Sequence, residues 1–504
     1  QFLDDYGASK LQDFIFHLEK DGRISIQAEL RQRLVSGILS GHVVTDAPLP
    51  SSRHFAKRLG ISRNTVSIVY QGLVDDGYLV SLERRGFFVN KEILQGGVTL
   101  APAETTQHHK PENPPDWPGM FKVRPSNQRN IYRPTNWQQY PYPFIYGQVD
   151  RDLFPIVEWR ECSRQALGRK GVDAWTADSY TFDDPLLVEQ IRTRLLPRRG
   201  IMADEARTLV TLGAQNALYL IGSLLIGPDS TVAMEEPGYQ AVRNIFQLKT
   251  PSVRPIPIDD KGMVVDERLA ECDFVYVTPS HHYPTTVTMS LERRRELLRL
   301  ASKHDFVIIE DDYEFETNYL YDPIPALKSL DEDDRVIYVG SLSKSLFPGL
   351  RLGYLTAPQT LVEELRALRR LMLQHPPNNN QRTAALFLSL GYHDSLIYRL
   401  HRVYRERWEC MGRALEAHLP GSSEVPSFGG TSYWVNGPKD LDAEVLAAQA
   451  LEKGVVIEPG IPTFASPNPP KNFFRLAFSS ITAEKIEPGI EILAGLVGRE
   501  RPIS

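Results

Sequence analysis

The sequence predicts an α/β protein of two unequal domains: short helices ending in a small β element, then a larger domain with a mixed, mostly parallel sheet between helices. In the larger domain, apolar β-rich runs alternate with longer helical patterns, which is typical of βαβ units and a sheet buried on both faces. The runs are Leu209–Leu212, Thr231–Met234, Phe274–Val277, Phe306–Ile309 and Val336–Val339. Between them lie helical stretches such as Gln215–Leu225 and Leu291–His304.

Length and charge limit the domains and their partners. The chain has 504 residues, which suggests two or three domains, and a net charge of −6. Binding of DNA is therefore expected only in a local basic patch. Residues 91–143 are rich in proline and have little periodicity, which is typical of a linker. We predict a first domain over residues 1–90, a linker over 91–143 and a second domain over 144–504.

Cysteine use and hydropathy indicate the compartment. Cys162, Cys272 and Cys410 are far apart and form no CxxC pair, which favours a reducing cytoplasm and no metal site. No apolar run reaches about 18 residues, so we expect no contact with a membrane.

Residues 49–75 predict a helix-turn-helix. Ser51 or Ser52 can cap a first helix that stops at Gly60, and Ser62 can cap a second helix. Apolar residues then recur on one face of the second helix, at Val66, Val69, Tyr70 and Leu73. Two capped helices joined by a short turn are typical of DNA-binding domains.

The opposite face of the second helix and a following hairpin supply the candidate DNA contacts. These side chains can meet base edges or phosphates. The candidates are Ser52, Arg53, Ser62, Arg63, Asn64, Thr65 and Ser67 on the helices, with Arg84 and Arg85 at the tip of the hairpin, the wing. Spacing alone leaves open a plain helical bundle with solvated basic residues.

The run LPSSRHFAKRLGISRNTVSIVYQGLVDDGYLVSLERRGFFV closely resembles the GntR family of winged-helix repressors. The resemblance implies binding to double-stranded promoter DNA through a winged helix-turn-helix. Two departures are visible: Asp46-Ala47 stands where the family often has Pro-Gly, and Arg85-Gly86-Phe87 replaces a Gly-Ser-Gly-Thr wing.

A second motif follows the run Val336–Val339. Residues 341–353 read SLSKSLFPGLRLG and resemble the S-x-S-K-x-x-x-P-G-x-R-x-G motif of fold-type I aminotransferases. The resemblance implies pyridoxal 5′-phosphate (PLP), with Lys344 as the catalytic lysine of the Schiff base. It also implies that Ser341, Ser343 and Arg351 meet the phosphate. A lysine among serines is otherwise often only part of a solvated loop.

The same resemblance assigns the ring of the cofactor. Asp311 would pair with the pyridine nitrogen and keep it protonated, and Tyr313 would reach the phenolic oxygen. Paired acids after a strand can instead cap a loop or bind a metal. Tyr239 is the candidate for stacking on the ring, or else a core tyrosine.

Further phosphate contacts are expected at a helix N-terminus and from a neighbouring subunit. Gly213, Ala214 and Gln215 lie between a strand and a helix, where small residues favour an anion site. Tyr180 lies where the family often places a tyrosine that reaches the partner's phosphate, although its flanking sequence departs from the usual pattern.

Residues 278–286, TPSHHYPTT, match the position of N-P-x-N-P-T-G in aminotransferases. Tyr283 stands in place of the asparagine, and Thr286 replaces the glycine. A T-P-S-H-x-x-P-T run resembles the MocR subfamily of GntR regulators. His281 is a candidate cofactor contact, or equally a structural histidine.

Arg475, in the run Phe474–Phe478, resembles the arginine that binds the substrate carboxylate in aminotransferases. Its guanidinium offers a bidentate fork for an acid group. The alternative is an ion pair on a strand.

Taken together, nearly the whole chain resembles the MocR/GabR regulators. This implies a winged helix-turn-helix fused to a PLP-dependent fold-type I aminotransferase-like domain, in a homodimer. The expected function is transcription regulation rather than enzymatic turnover. A small-molecule amine effector carrying an acid group would be sensed by aldimine formation, with RNA polymerase as a further candidate partner. Two alternatives stay open: an active aminotransferase that carries a DNA-binding domain, and a regulator that senses PLP itself.

Overall fold

The structure is a computed structural model that describes residues 24–43, 45–95, 113–423 and 429–498. The chain forms two compact units, Gln1–Trp117 and Pro118–Ser504. The predicted linker, residues 91–143, is therefore divided, because its last part belongs to the larger unit. Residues 96–112 of that linker and residues 1–23 of the predicted first domain lie outside the described residues.

The smaller unit is a winged helix-turn-helix, as the sequence predicts. Its elements are helices α1 (Ile26–Leu39), α2 (Ser52–Leu59), α3 (Arg63–Asp75) and α4 (Lys91–Gln95), with strands β1 (Leu79–Leu82) and β2 (Gly86–Val89). The two strands pair antiparallel and form the wing. The apolar face predicted for α3 is buried, and it packs with Leu30, Leu34 and Phe55 into one core.

Side-chain caps fix the two central helices of this unit. The Ser51 hydroxyl accepts a hydrogen bond from the His54 amide, and the Ser62 hydroxyl accepts one from the Thr65 amide at 3.1 Å. Of the two serines that could cap α2, Ser51 is the cap and Ser52 is the first helical residue. Gly60 ends α2 at φ +65°, a left-handed conformation that favours glycine.

The larger unit contains a main sheet with helices on both faces. Its helices are α5 (Trp117–Met120, which begins at the unit boundary), α6 (Ile156–Ala166), α7 (Arg169–Trp175), α8 (Pro185–Gln190), α9 (Ala214–Leu225), α10 (Gln240–Gln247), α11 (Leu291–His304), α12 (Leu327–Leu330), α13 (Gln359–Leu373), α14 (Asn378–Ser389), α15 (Tyr392–His418), α16 (Ala443–Glu452) and α17 (Ala483–Val497).

Its strands are β3 (Tyr142–Pro143), β4 (Thr208–Thr211), β5 (Thr231–Glu236), β6 (Ser252–Asp259), β7 (Gly262–Met263), β8 (Phe274–Val277), β9 (Val307–Asp312), β10 (Val336–Ser341), β11 (Gly353–Thr356), β12 (Ser432–Asn436), β13 (Val455–Val456), β14 (Glu458–Pro459) and β15 (Phe473–Ala477). No helix among the described residues is long and apolar enough to cross a membrane.

The main sheet has the order β4-β11-β10-β9-β8-β5-β6-β7. The pairs from β10 to β6 are all parallel, while β11 runs antiparallel to both of its neighbours and β7 antiparallel to β6. Successive residues of the strands enter different cores: Val232 and Ile309 pack on one side, and Ala233 and Ile308 on the other. Both faces are thus covered, which agrees with the apolar runs that predicted the sheet.

The segment before the main sheet docks onto the carboxyl-terminal part of the larger unit. β3 pairs parallel with β13, and β12, β15 and β14 form a small antiparallel sheet. The Arg129 guanidinium donates to the carbonyls of Ser466 and Pro467. Proline-rich composition indicated only that this segment forms no core of its own. It can still pair its backbone and side chains with an existing domain.

Candidate functional site

A cavity of about 300 Å³ lies at the carboxyl ends of the parallel strands, where open α/β sheets commonly bind ligands. Its wall brings together nine of the residues singled out from the sequence: Ala214, Gln215, Tyr239, Asp311, Tyr313, Ser341, Ser343, Lys344 and Arg351.

The Lys344 amine is enclosed by tyrosines. Its Nζ lies 3.8 Å from the ring centre of Tyr146 and 5.7 Å from that of Tyr313. The backbone of Gly147 also approaches closely, because a Cβ at this position would lie 2.9 Å from Nζ. Burial lowers the pKa of Lys344 to about 8, although the nearby Glu314 carboxylate opposes this shift. A lysine with this pKa supplies a neutral amine near neutral pH, as a nucleophile requires.

Asp311 is the second-last residue of strand β9 and is almost fully buried. Its Oδ2 accepts a hydrogen bond of 2.8 Å from the Tyr276 hydroxyl. Its Oδ1 is buried and has no hydrogen-bond partner among the described residues. Burial raises the pKa of Asp311 to about 7. A protonated pyridine nitrogen would supply both the missing donor and the opposite charge, so this residue fits PLP.

The opposite end of the cavity is built for an anion. Ala214 and Gln215 begin α9, a helix of 12 residues, directly after Gly213, and the helix N-terminus is electropositive. Arg351 lies beside this turn: a Cβ on Gly213, where φ is +78°, would lie 3.0 Å from an Arg351 terminal nitrogen. The Ser343 amide donates to the Ser341 hydroxyl at 3.2 Å. These donors fit a phosphate group.

Aromatic rings form a further part of the wall. The rings of Tyr239 and Tyr283 lie 4.9 Å apart between centres, and both line the cavity. The Tyr313 hydroxyl donates to the His281 carbonyl at 3.0 Å. Thr286 adopts φ +69°, a left-handed backbone conformation. The glycine that the aminotransferase pattern has at this position would adopt it more readily.

Three of the cofactor candidates are not part of the cavity wall: Gly213, which directly precedes Ala214, and the more distant His281 and Tyr180. The His281 ring is buried, with Nε2 3.2 Å from Glu314, and Gly430 packs directly against it. The Tyr180 ring lies under the Arg370 guanidinium, whose carbon is 3.8 Å from the centre of the ring. A role for Tyr180 in a neighbouring subunit stays a prediction, since the structure contains one chain.

Arg475 is also absent from the cavity wall. Its guanidinium is buried against the rings of Tyr146 and Tyr283, with its carbon 3.8 and 4.3 Å from their centres. It donates to the Glu458 carboxylate at 2.7 Å and to the Tyr283 hydroxyl at 3.0 Å. Part of the fork that the sequence offers to an effector acid is therefore already engaged by this chain.

Sequence reasoning missed seven residues of the wall. One is Gln240, at the start of α10, and the other six lie in the segment 130–148: Asn130, Ile131, Arg133, Tyr146, Gly147 and Gln148. This segment contains no apolar periodicity, so nothing in it predicts docking. Sequence reasoning also missed Tyr276, which contacts Asp311. The sequence contains a usable signal for this residue, because a tyrosine within a buried strand needs a hydrogen-bond partner for its hydroxyl.

In the smaller unit, most of the predicted DNA contacts are exposed. Arg53, Arg63 and Asn64 are exposed at the start of α2 and α3, and Arg84 and Arg85 are exposed in the wing turn. Ser52, Thr65 and Ser67 are half-buried, and Ser62 serves as the helix cap described above. The exposed N-terminal turn of α3 has the geometry that enters a major groove in helix-turn-helix proteins.

Comparisons with known proteins match both units. Residues 26–89 match the family model "Bacterial regulatory proteins, gntR family", and residues 181–493 match "Aminotransferase class I and II". The chain is 44% identical over 481 residues to the HTH-type transcriptional regulator TauR of Rhodobacter capsulatus, covering 95% of this chain and 98% of that protein. It is 28% identical over 480 residues to the probable rhizopine catabolism regulatory protein MocR of Rhizobium meliloti, covering 94% of each.

Solved structures agree with this division. Kynurenine aminotransferase of Pyrococcus horikoshii, in complex with PMP, is 28% identical and superposes with a TM-score of 0.70, covering 77% of this chain and 99% of that one. LysN of Thermus thermophilus, complexed with N-(5′-phosphopyridoxyl)-L-leucine, is 28% identical with a TM-score of 0.67, covering 76% and 96%.

The fold and the matches thus define a transcription regulator with an aminotransferase-like domain. The chain belongs to the gntR-type regulators that carry a class I and II aminotransferase domain, the MocR/GabR subfamily.

Proposed function

We propose that this regulator binds PLP in the cavity around Lys344 and senses a primary amine that carries an acid group. One observation carries the proposal: the lysine amine, the unpartnered Oδ1 of Asp311 and the anion site beside Arg351 line a single cavity. Each matches a different part of one cofactor, namely its aldehyde, its ring nitrogen and its phosphate.

The residues of the chain divide the work. Bound PLP supplies an aldehyde that condenses reversibly with primary amines. Lys344 holds that position until an effector amine competes for it, and its lowered pKa keeps part of it neutral. Asp311 would hold the ring nitrogen, while Gly213, Ser341, Ser343 and Arg351 would hold the phosphate. His281 Nε2 lies 3.2 Å from the Glu314 carboxylate, which raises the pKa of Lys344.

The signal is expected to reach DNA through the winged helix. An effector changes DNA affinity only by binding more tightly to one of the protein's states than to another. A homodimer would present two winged helices to paired half-sites. The MocR relative is a probable regulatory protein of rhizopine catabolism, which supports control of catabolic genes.

The cavity also supports a second candidate function. Lys344, Asp311 and Arg351 are the residues that transamination needs, and the solved neighbours are aminotransferases. Turnover with a keto acid would favour an active aminotransferase. A change of DNA affinity with PLP alone would favour a sensor of the cofactor.

Absorbance of the PLP-loaded protein tests the proposal. We expect the cofactor band to shift when an acid-bearing amine such as taurine or GABA is added, and to stay shifted without keto acid product. Lys344→Ala should abolish the resting band. A band that converts to the pyridoxamine form and cycles on addition of a keto acid would contradict a pure sensor, and no shift with any amine would contradict amine sensing.

A further inference from the structure

Arg133 is an arginine of the cavity wall, whereas Arg475, the residue that the sequence indicated for an effector acid, is not part of that wall. Arg133 forms part of the cavity wall and is about one-third exposed (35%), whereas the Arg475 side chain is 3% exposed and lies behind the wall. Both guanidiniums bind the same carboxylate, Glu458: Arg133 Nε donates to Oε1 at 2.5 Å, and Arg475 donates to Oε2. The two arginines and Glu458 therefore form one cluster, in which Glu458 and Arg475 are buried and Arg133 is partly exposed.

The charge of this cluster favours a bound anion. Two guanidiniums and one carboxylate leave one net positive charge. Burial alone would raise the pKa of Glu458, but Arg475 and Arg133 lower it, so the carboxylate stays ionised. Only the Nε of Arg133 donates to Glu458, and the terminal nitrogens of its guanidinium make no hydrogen bond within the described part of the chain. These N–H groups are free to form a fork with an acid.

Tyr146 contacts both Lys344 and Arg475. Lys344 Nζ and the Arg475 guanidinium carbon each lie 3.8 Å from the centre of the Tyr146 ring. Arg475 is nevertheless almost fully buried and is not part of the cavity wall. Arg133 is part of that wall, so a ligand in the cavity can meet its guanidinium directly.

Arg133 ends a short segment, residues 128–133, which we call the strap. Hydrogen bonds to Asn244 anchor the start of the strap. The Gln128 side-chain amide donates to the Asn244 carbonyl at 2.9 Å, and the Asn244 side chain donates to the Arg129 carbonyl at 3.0 Å. Because neither bond involves Arg133, its guanidinium can turn toward a ligand while the strap stays anchored.

We propose that Arg133 binds the acid group of the effector and makes the cavity selective for amines that carry a monoanionic carboxylate or sulfonate. This rests on the proposed function, because it concerns the ligand of the same cavity. Glu458 is the positioning residue: it neutralises the buried Arg475 and leaves the Arg133 fork available.

Two measurements test this assignment. Both use the purified, PLP-loaded protein and compare it with the variants Arg133→Ala, Arg133→Lys and Arg129→Ala. The first measures thermal stabilisation by propionate and ethanesulfonate, which have an acid but no amine. The second measures the apparent Kd for taurine and β-alanine against propylamine, which has no acid. Arg129→Ala is the matched control, because Arg129 lies on the strap but not on the cavity wall.

We expect Arg133→Ala to abolish stabilisation by the acids and to weaken taurine and β-alanine about tenfold or more, since a hydrogen-bonded charge pair is lost. Propylamine should bind unchanged, Arg133→Lys should restore part of the affinity, and Arg129→Ala should match the unchanged protein. Folding should survive because Glu458 still pairs with Arg475.

Two results would overturn the assignment: equal loss of affinity for all three amines in Arg133→Ala, or an unchanged preference for the acid-bearing amines. Acids that fail to stabilise the unchanged protein would also overturn it. If the acids stabilise the unchanged protein but not Arg133→Ala, while no amine alters the absorbance, Arg133 stands and amine sensing fails.

Discussion

At the scale of single residues, the cavity around Lys344 combines two groups whose pKa values are shifted from their ordinary values. Burial lowers the pKa of the lysine to about 8 and raises that of Asp311 to about 7. Both shifts arise because burial disfavours the charged form of each group. A cofactor with a ring cation and an aldehyde relieves both, since Asp311 gains a positive partner and Lys344 becomes part of a covalent link.

The pKa of Lys344 gives a pH dependence. Only the neutral amine attacks an aldehyde, so the rate at which apoprotein captures PLP should rise with pH and level off above about 8 instead of the ordinary lysine value of 10.5. Stopped-flow absorbance measures this rate. Glu314→Gln should move the midpoint down, because Glu314 raises the pKa of Lys344. A rate still rising steeply at pH 10 would contradict the shift.

Asp311 should be the residue on which cofactor retention depends most among the ring contacts. Asp311→Asn removes the charge from the pyridine nitrogen, and we expect PLP to bind about 10- to 100-fold more weakly, the range for a hydrogen bond to a charged group. Equilibrium dialysis measures the change.

Tyr276→Phe is the matched control for Asp311. It removes the hydroxyl that lowers the pKa of Asp311, so the carboxyl becomes harder to ionise. Its PLP affinity should fall more at pH 6 than at pH 9, where Asp311 is ionised in any case. An equal loss at both values would show that the hydroxyl acts only through packing.

At the scale of elements, the sequence predicts helices and strand cores well and strand ends poorly. Helix α11 has the predicted bounds, because Ser290 caps its start and Asp305 ends it in a left-handed conformation. Strands β9 and β10 extend beyond the apolar runs to Asp312 and Ser341. Asp311 and Ser341 are polar and line the cavity, whereas Asp312 pairs with the buried Arg199. The apolar pattern that marks a buried strand therefore stops before the strand ends.

The segment before the main sheet shows the other limit of sequence reasoning. Residues 128–148 carry no periodicity, yet they supply Arg133 and Tyr146 to the cavity. Their placement depends on partners that lie more than 300 residues later, such as Ser466 and Glu458. No local pattern encodes such a contact. The aminotransferase motif predicted the lysine, acid and phosphate donors because that motif is contiguous.

The N-terminal cap of α3 has an effect on stability that can be separated from DNA contact. Ser62→Ala removes the hydroxyl that accepts from the Thr65 amide and should cost about 1 kcal/mol of free energy of unfolding of the smaller unit. Chemical denaturation measures this cost.

Ser62→Asp separates the two roles. An aspartate keeps the cap and suits the positive end of the helix, so stability should be retained. DNA affinity should nevertheless fall, because the new charge would repel phosphate. Equal DNA binding by Ser62→Asp and the unchanged protein would place this turn away from the duplex.

The exposed turn of α3 should also determine which DNA sequence is bound. We expect Arg63→Ala to lower the affinity for the operator by about 1–3 kcal/mol, the range for one good base contact. Arg33→Ala is the control, since it also removes one positive charge but pairs with Glu29 on α1. Gel-shift titration at two salt concentrations separates base from phosphate contacts. Equal losses for the two variants would indicate only a general effect of charge.

At the scale of the whole molecule, two units with separate cores are joined in one chain. Each unit alone has ordinary counterparts, a gntR-type DNA-binding domain and an aminotransferase. Their union is informative because the relatives that match over nearly the full length are regulators. Occupancy of the Lys344 cavity is therefore expected to change DNA binding.

Fluorescence anisotropy of labelled operator DNA, titrated with PLP-loaded protein with and without taurine or GABA, tests that expectation directly. We expect one of these amines to change the apparent DNA affinity of the unchanged protein severalfold. We expect neither amine to do so for Lys344→Ala, although this variant should still bind DNA. The same amine response in Lys344→Ala, or a DNA affinity that no amine changes in the unchanged protein, would contradict that expectation.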